Sequence, residues 1–148
     1  MLGEEVGIEV WNETQSLLNP NNINGTGEDD ELTGTTENDF IGARAGDDLI
    51  NAGDGNDSII ARRGDDIIDG GAGRDIIAAQ RGDDLITGRP GSDFFDFSRN
   101  YGNNTIADFE DGIDLIYYTI ISIFFQRSLI VFGGLERAFV VIQSFSYE

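Results

Sequence analysis

The sequence predicts an all-β fold: a right-handed parallel β-roll of nine-residue repeats, two per coil, with a C-terminal antiparallel β cap. Three observations lead there. Aspartate recurs every nine residues, at Asp30, Asp39, Asp48, Asp57, Asp66, Asp75, Asp84 and Asp93. A large apolar residue follows two places after each: Leu32, Ile41, Ile50, Ile59, Ile68, Ile77, Ile86 and Phe95. Glycine stands two places before six of the eight, at Gly46, Gly55, Gly64, Gly73, Gly82 and Gly91, with Glu28 and Glu37 in the first two repeats. The repeats fill residues 25–96 and leave flanks at 1–24 and 97–148.

In the first flank, the alternation of Val6, Ile8 and Val10 reads as a short strand. The run Asn19 to Asn24 reads as a loop, and Trp11 as a residue of a cap over the first coil, because terminal repeats need covering. Within 25–96 each repeat divides into a six-residue turn and a three-residue strand. The glycines let the turn take positive φ and aim its carbonyls inward. Such a strand is too short to stand alone, so its middle apolar residue must be covered by another strand. Two repeats therefore make one 18-residue coil with facing strands. Stacked coils then form two parallel sheets around a thin core of Leu, Ile and Phe, wound in the right-handed sense usual for parallel crossovers.

The repeats also alternate. Odd ones read Ala43-Arg44-Ala45-Gly46-Asp47-Asp48 and Ala61-Arg62-Arg63-Gly64-Asp65-Asp66; even ones read Ala52-Gly53-Asp54-Gly55-Asn56-Asp57 and Gly70-Gly71-Ala72-Gly73-Arg74-Asp75. That difference supports two repeats per coil independently of the Asp column. Beyond residue 97 come apolar stretches at 115–125, 128–132 and 138–143, with Gly133-Gly134 between the last two suggesting a hairpin. This part is expected to cover the last coil.

The chain of 148 residues carries 28 acidic residues, nine basic ones and a net charge of −19. There is no Cys and no His, which removes disulfides, the usual zinc sites, thiol nucleophiles and imidazole catalysis. Nucleic acid is excluded as a partner, because phosphates call for a basic surface. The longest largely apolar run, Leu115 to Phe125, is too short to span a bilayer.

Stacking sets a problem that a cation solves. Turns of alternate repeats share an edge about 4.8 Å apart, so their carboxylates form like-charge rows. Neighbours repel by about 1 kcal/mol in water and by about 3–4 kcal/mol at an effective dielectric of 20. A hard dication between turns removes the repulsion by taking carboxylate and carbonyl oxygens. Residues 25–96 hold 18 acidic residues and six Arg, a net of −12. About six Ca²⁺ ions would neutralise this, and folding and metal binding become one event. The expected ligands are the eight aspartates and the turn glycines Gly46, Gly53, Gly55, Gly64, Gly71, Gly73, Gly82 and Gly91.

Repeat six, Gly70-Gly71-Ala72-Gly73-Arg74-Asp75-Ile76-Ile77-Ala78, is the tandem nonapeptide that resembles the RTX, or haemolysin-type calcium-binding, family. The resemblance spans 25–96 and, more loosely, 97–114. It implies calcium-dependent folding outside the cell, an extracellular location and a type I exporter served by an uncleaved C-terminal signal. No basic and apolar leader is visible in Met1 to Glu9, which agrees. The segment Asp108-Phe109-Glu110-Asp111-Gly112-Ile113-Asp114 is similar to the family's roll-closing segment, so Asp108, Asp111 and Asp114 are further candidate ligands. Asn104 stands where the family usually has Asp.

Arg44, Arg62, Gln80 and Arg89 replace the family's second glycine. Two outcomes are open: the backbone carries a side chain there, with Arg paired to Asp47, Asp65 and Asp83, or the odd edge binds calcium less tightly. The first two repeats are the expected weak sites. Strand positions Phe40, Leu49, Ile67, Ile76, Leu85 and Phe94 should face outwards and make apolar stripes. Three functions compete: a stand-alone extracellular calcium-binding structural or binding module, an accessory subunit of a surface assembly that self-associates with calcium, and an enzyme. The last is disfavoured, because the carboxylates are committed to metal.

Overall fold

The computed structural model describes residues 21–97, 102–110, 113–117, 126–134 and 137–145, the last two stretches as backbone. The expectations for Val6, Ile8, Val10, Trp11 and Asp111 lie outside these residues. In chain order the strands are β1 (Asn21–Asn24), β2 (Glu31–Thr35), β3 (Asp39–Ala45), β4 (Leu49–Gly53), β5 (Ser58–Arg63), β6 (Ile67–Asp69), β7 (Ile76–Arg81), β8 (Leu85–Thr87), β9 (Phe94–Asp96), β10 (Asn104–Phe109), β11 (Leu115–Tyr117), β12 (Gln126–Gly134) and β13 (Arg137–Phe145). Among the described residues no helix is long and apolar enough to cross a membrane.

The strands alternate between two sheets, as the two-repeat coil requires. One sheet runs β1-β3-β5-β7-β9-β11, the other β12-β13-β10-β8-β6-β4-β2. Within the roll every pairing is parallel and steps by 18 residues: Phe40 opposite Ser58, Ser58 opposite Ile76, Ile76 opposite Phe94. Parallel pairing at that spacing places the same repeat position on every coil. The apolar column is consequently one continuous core, with Ile41, Ile50, Ile59, Ile77 and Ile86 fully buried. Ala43, Ala52, Ala61 and Ala79, four places after their aspartates, are buried in the same core, and Phe97 takes that position in the last repeat.

Two features depart from the expected layout. Asn21–Asn24 is a strand, not part of a loop, and pairs in parallel with β3 from Asn21 opposite Asp39. The reason is in the period: Ile23 lies nine residues before Leu32 and packs against the same core. The second departure is strand length. The strands β3, β5 and β7 run for six or seven residues, not three, because the ladder continues into the turn through Arg44 opposite Arg62 and Arg62 opposite Gln80.

The closing coil is longer than the others. The strand β10 sits 20 residues after β8, and β11 sits 21 after β9. The cap then forms as expected. Antiparallel β12 and β13 make a hairpin, and β13 lies antiparallel on β10. The edge of β10 is thereby paired, and β12 becomes the outer strand of that sheet. Outside the roll, Leu49, Ile67, Ile76 and Leu85 are between 44% and 51% exposed, so these outward positions form stripes. Phe40 and Phe94 are half-buried.

Candidate metal centre

The repeated aspartates form the polar spine of each edge. Each but Asp84 donates its main-chain N–H to Oδ1 of the aspartate one coil on: Asp48 to Asp66 at 2.9 Å, Asp57 to Asp75 at 2.9 Å, Asp66 to Asp84 at 3.0 Å, Asp75 to Asp93 at 2.9 Å. Asp30 and Asp39 begin the two columns in the same way, donating to Asp48 and Asp57. The carbonyl of each aspartate in turn accepts the N–H that follows the next aspartate, as in Ile67 to Asp48 and Leu85 to Asp66, both 2.9 Å. The residue is thus held through its backbone and through one carboxylate oxygen.

The second oxygen is different. Oδ2 of Asp48, Asp57, Asp66, Asp75, Asp84 and Asp93 is buried and has no hydrogen-bond partner. These side chains are at most 2% exposed. One buried, unpaired polar atom costs roughly 1–3 kcal/mol, and more when charged, so six together call for a positive ligand. Burial, followed by repulsion from the neighbouring acids, pushes Asp66, Asp75 and Asp93 up to about 7 and Asp57 and Asp84 up to about 6, against the pull of the main-chain hydrogen bond. Asp48 is raised for the same first reason.

A backbone feature marks the same six turns. Four residues before each orphaned aspartate stands a residue with left-handed φ: Arg44 (88°), Gly53 (98°), Arg62 (89°), Gly71 (90°), Gln80 (80°) and Arg89 (71°). In the turns of Asp30, Asp39 and Asp114 the corresponding residue is Thr26, Thr35 or Glu110, none of them left-handed. There its N–H donates to the aspartate Oδ2, at 2.6, 2.6 and 2.8 Å. Thr26 and Thr35 also lend their hydroxyls to the same carboxylate and accept the N–H of Glu28 and Glu37. So a turn either satisfies its own carboxylate or leaves it open. The Thr-x-x-x-Asp spacing in the first two repeats was a legible sign of this, and reasoning from the Asp column alone missed it.

The glycines hold the turns at backbone contact. A Cβ on Gly64 or Gly82 would strike the carbonyl oxygen of Gly46 or Gly64 one coil back, and Gly73 and Gly91 meet Gly55 and Gly73 in the same way. Gly53 and Gly71 sit equally close to the carbonyls of Thr35 and Gly53. Around Gly70 both kinds of oxygen meet, since a Cβ there would touch the Gly88 carbonyl oxygen and the orphaned Oδ2 of Asp75. Among the described residues no three acidic side chains converge on one point, so a cation here must take carbonyl oxygens as well. An all-oxygen set of carboxylates and carbonyls is the chemistry Ca²⁺ prefers, and the residues fit it.

The two edges differ as the alternation suggested. Outside the odd column lies a second ladder, in which Asp47, Asp65 and Asn103 donate their N–H groups to Oδ1 of Asp29, Asp47 and Asp83. On the even edge the same places hold Asn38, Asn56 and Arg74, a neutral or basic set. The extra acids thus find main-chain partners. Arg89 pairs with Asp69, at 2.6 Å. In the closing coil, Asp108 accepts the N–H groups of Gly88 and Arg89, and Asp114 continues the even column beyond Asp93.

A family model for the RTX calcium-binding nonapeptide repeat, in four copies, matches residues 24–59, 42–77 and 70–99. Among solved structures, the AlgE6R3 subunit of a mannuronan C5-epimerase from Azotobacter vinelandii is 31% identical, with a TM-score of 0.45. The match covers 51% of this chain and 48% of that one, so the chain spans about half of its length. No curated protein matches the chain.

Proposed function

The chain belongs to the RTX calcium-binding nonapeptide-repeat family, and from that premise we propose an extracellular structural module that folds as it binds Ca²⁺ after export. The single observation that carries this reading is the row of buried, unpartnered oxygens on Asp48, Asp57, Asp66, Asp75, Asp84 and Asp93. These six are the proposed carboxylate ligands, completed by carbonyls of the glycine-rich turns and taking about six ions. Asp30, Asp39 and Asp114 close their own turns and are assigned a structural place at the ends of the columns. Asp108 is assigned to holding the eighth turn through its two N–H partners.

Bound Ca²⁺ supplies the positive charge that offsets the stacked carboxylates. The chain's own part is to fix Oδ1 in the ladder and present Oδ2. Without the ion, each coil added to the roll buries two more carboxylates with nothing to balance them, so the extended chain is favoured. Calcium modules of extracellular type work at on the order of 10⁻⁴–10⁻³ M. Below that level the chain stays unfolded and passes a type I exporter; above it, outside the cell, the roll closes.

Far-ultraviolet circular dichroism with excess chelator and then with millimolar Ca²⁺ tests the proposal. A disordered spectrum that turns β-rich with calcium supports it; the same spectrum in both conditions ends it. A second reading, self-association with calcium, is favoured by the stripe of Leu49, Ile67 and Leu85 along one sheet. Light scattering in the same two buffers separates a monomeric module from an assembling one.

A further inference from the structure

The last step of the aspartate column differs between the two edges. On the even edge, Asp93 donates its N–H to Oδ1 of Asp114, at 3.0 Å. On the odd edge, Asp84 donates to Oδ1 of Asn104, at 2.8 Å. Asn104 is fully buried, and its Nδ2 has no hydrogen-bond partner. The amide nitrogen stands where Asp48, Asp66 and Asp84 of the same column present their open Oδ2.

Aspartate can serve the ladder because it has two acceptor oxygens, one for the N–H of the previous coil and one for a cation. Asparagine has one acceptor, and two N–H donors in place of the other. The Asp84 N–H already takes that acceptor. Turning the amide over would bring the oxygen to the metal side, but it would set NH₂ against the Asp84 N–H, two donors face to face. Neither orientation meets both demands. The strand pairing gives this step a special place: Asn104 opens β10, opposite Ile142 of the capping hairpin, so no further acidic turn follows it on this edge.

We infer that Asn104 ends the cation row on the odd edge: the step from Asp84 to Asn104 takes no Ca²⁺, and the amide holds the closing coil in register in its place. The inference rests on the calcium reading above and adds where the row stops. A neutral side chain at this point lets the coil that carries the hairpin close without waiting for an ion.

The test is calorimetric titration of the full chain with Ca²⁺ alone, alongside the thermal midpoint in saturating calcium, for two variants. Asn104→Asp restores the second oxygen; it should bind one more ion per chain than the parent and melt at a higher temperature in calcium. Asn104→Ala removes the amide; it should bind as many ions as the parent, since no ligand is lost. An unchanged ion count in Asn104→Asp, or one ion fewer in Asn104→Ala, overturns the inference. A parent chain that binds no Ca²⁺ instead ends the calcium reading itself, so the two failures are distinguishable.

Discussion

Replacing Asp66 by asparagine should destabilise the roll with calcium and leave it no less stable without. The substitution is isosteric. Oδ1 can still accept the Asp48 N–H at 2.9 Å, and the Asp66 N–H still reaches Asp84 at 3.0 Å. Only the orphaned Oδ2 changes, from a carboxylate oxygen to an NH₂ group. With calcium bound, the variant loses one half of a buried ionic contact, which costs about 3–5 kcal/mol. At the affected site that is an affinity loss of about 10²–10⁴-fold. The thermal midpoint should fall by about 6 °C or more, since 1 kcal/mol moves a chain of 148 residues by roughly 2–4 °C. In chelator the sign changes, because burial has pushed Asp66 up to about 7 and its charge is a burden to the metal-free roll. Scanning calorimetry of parent and variant at pH 7.5 in saturating Ca²⁺ reads the first effect; in chelator, where the roll is unfolded, circular dichroism should show no less residual structure in the variant than in the parent. A thermal midpoint in Ca²⁺ equal to the parent's would refute the reasoning.

The other expectations draw on the same geometry. Asp66, Asp75 and Asp93 ionise near pH 7 in the folded, metal-free roll and at 3.8 when unperturbed, so between those values the folded form holds extra protons. The metal-free roll therefore gains stability as pH falls through 7 and loses it as pH rises. Calcium must displace those protons, so its binding weakens as pH drops from 7.5 to 5.5; a titration midpoint that ignores pH contradicts this. Gly64→Ala puts a Cβ onto the Gly46 carbonyl at φ +130°. A cost of at least about 2 kcal/mol is expected, visible as a higher calcium requirement for folding by circular dichroism. Arg62→Gly relieves a left-handed side chain at φ 89°. A gain of about 1 kcal/mol is expected, measured as a raised thermal midpoint in saturating calcium, and a lowered midpoint would mean that the Arg62 side chain supports the turn.

Much of this protein could be read from one dimension. A nine-residue period in Asp, Gly and Ile can be satisfied by few backbones, because the apolar column needs a facing strand and the acidic column needs a counter-charge. The parallel pairing at 18 residues, the buried isoleucines and the oxygen-rich edges all follow from that period. Even Ile23 and Asn21, which extend it to a further strand, were legible once the count was carried back past Leu32.

Beyond the Thr-x-x-x-Asp sign in the first two repeats, tertiary structure decided which carboxylates are open. Asp39 and Asp57 occupy the same repeat position, yet Thr35 closes the first with its N–H and left-handed Gly53 leaves the second bare. A repeat motif records residue types; it does not record the backbone angle that aims an N–H toward a carboxylate or away from it. The same holds for Asn104, whose single acceptor matters only because the fold stacks it directly beyond Asp84.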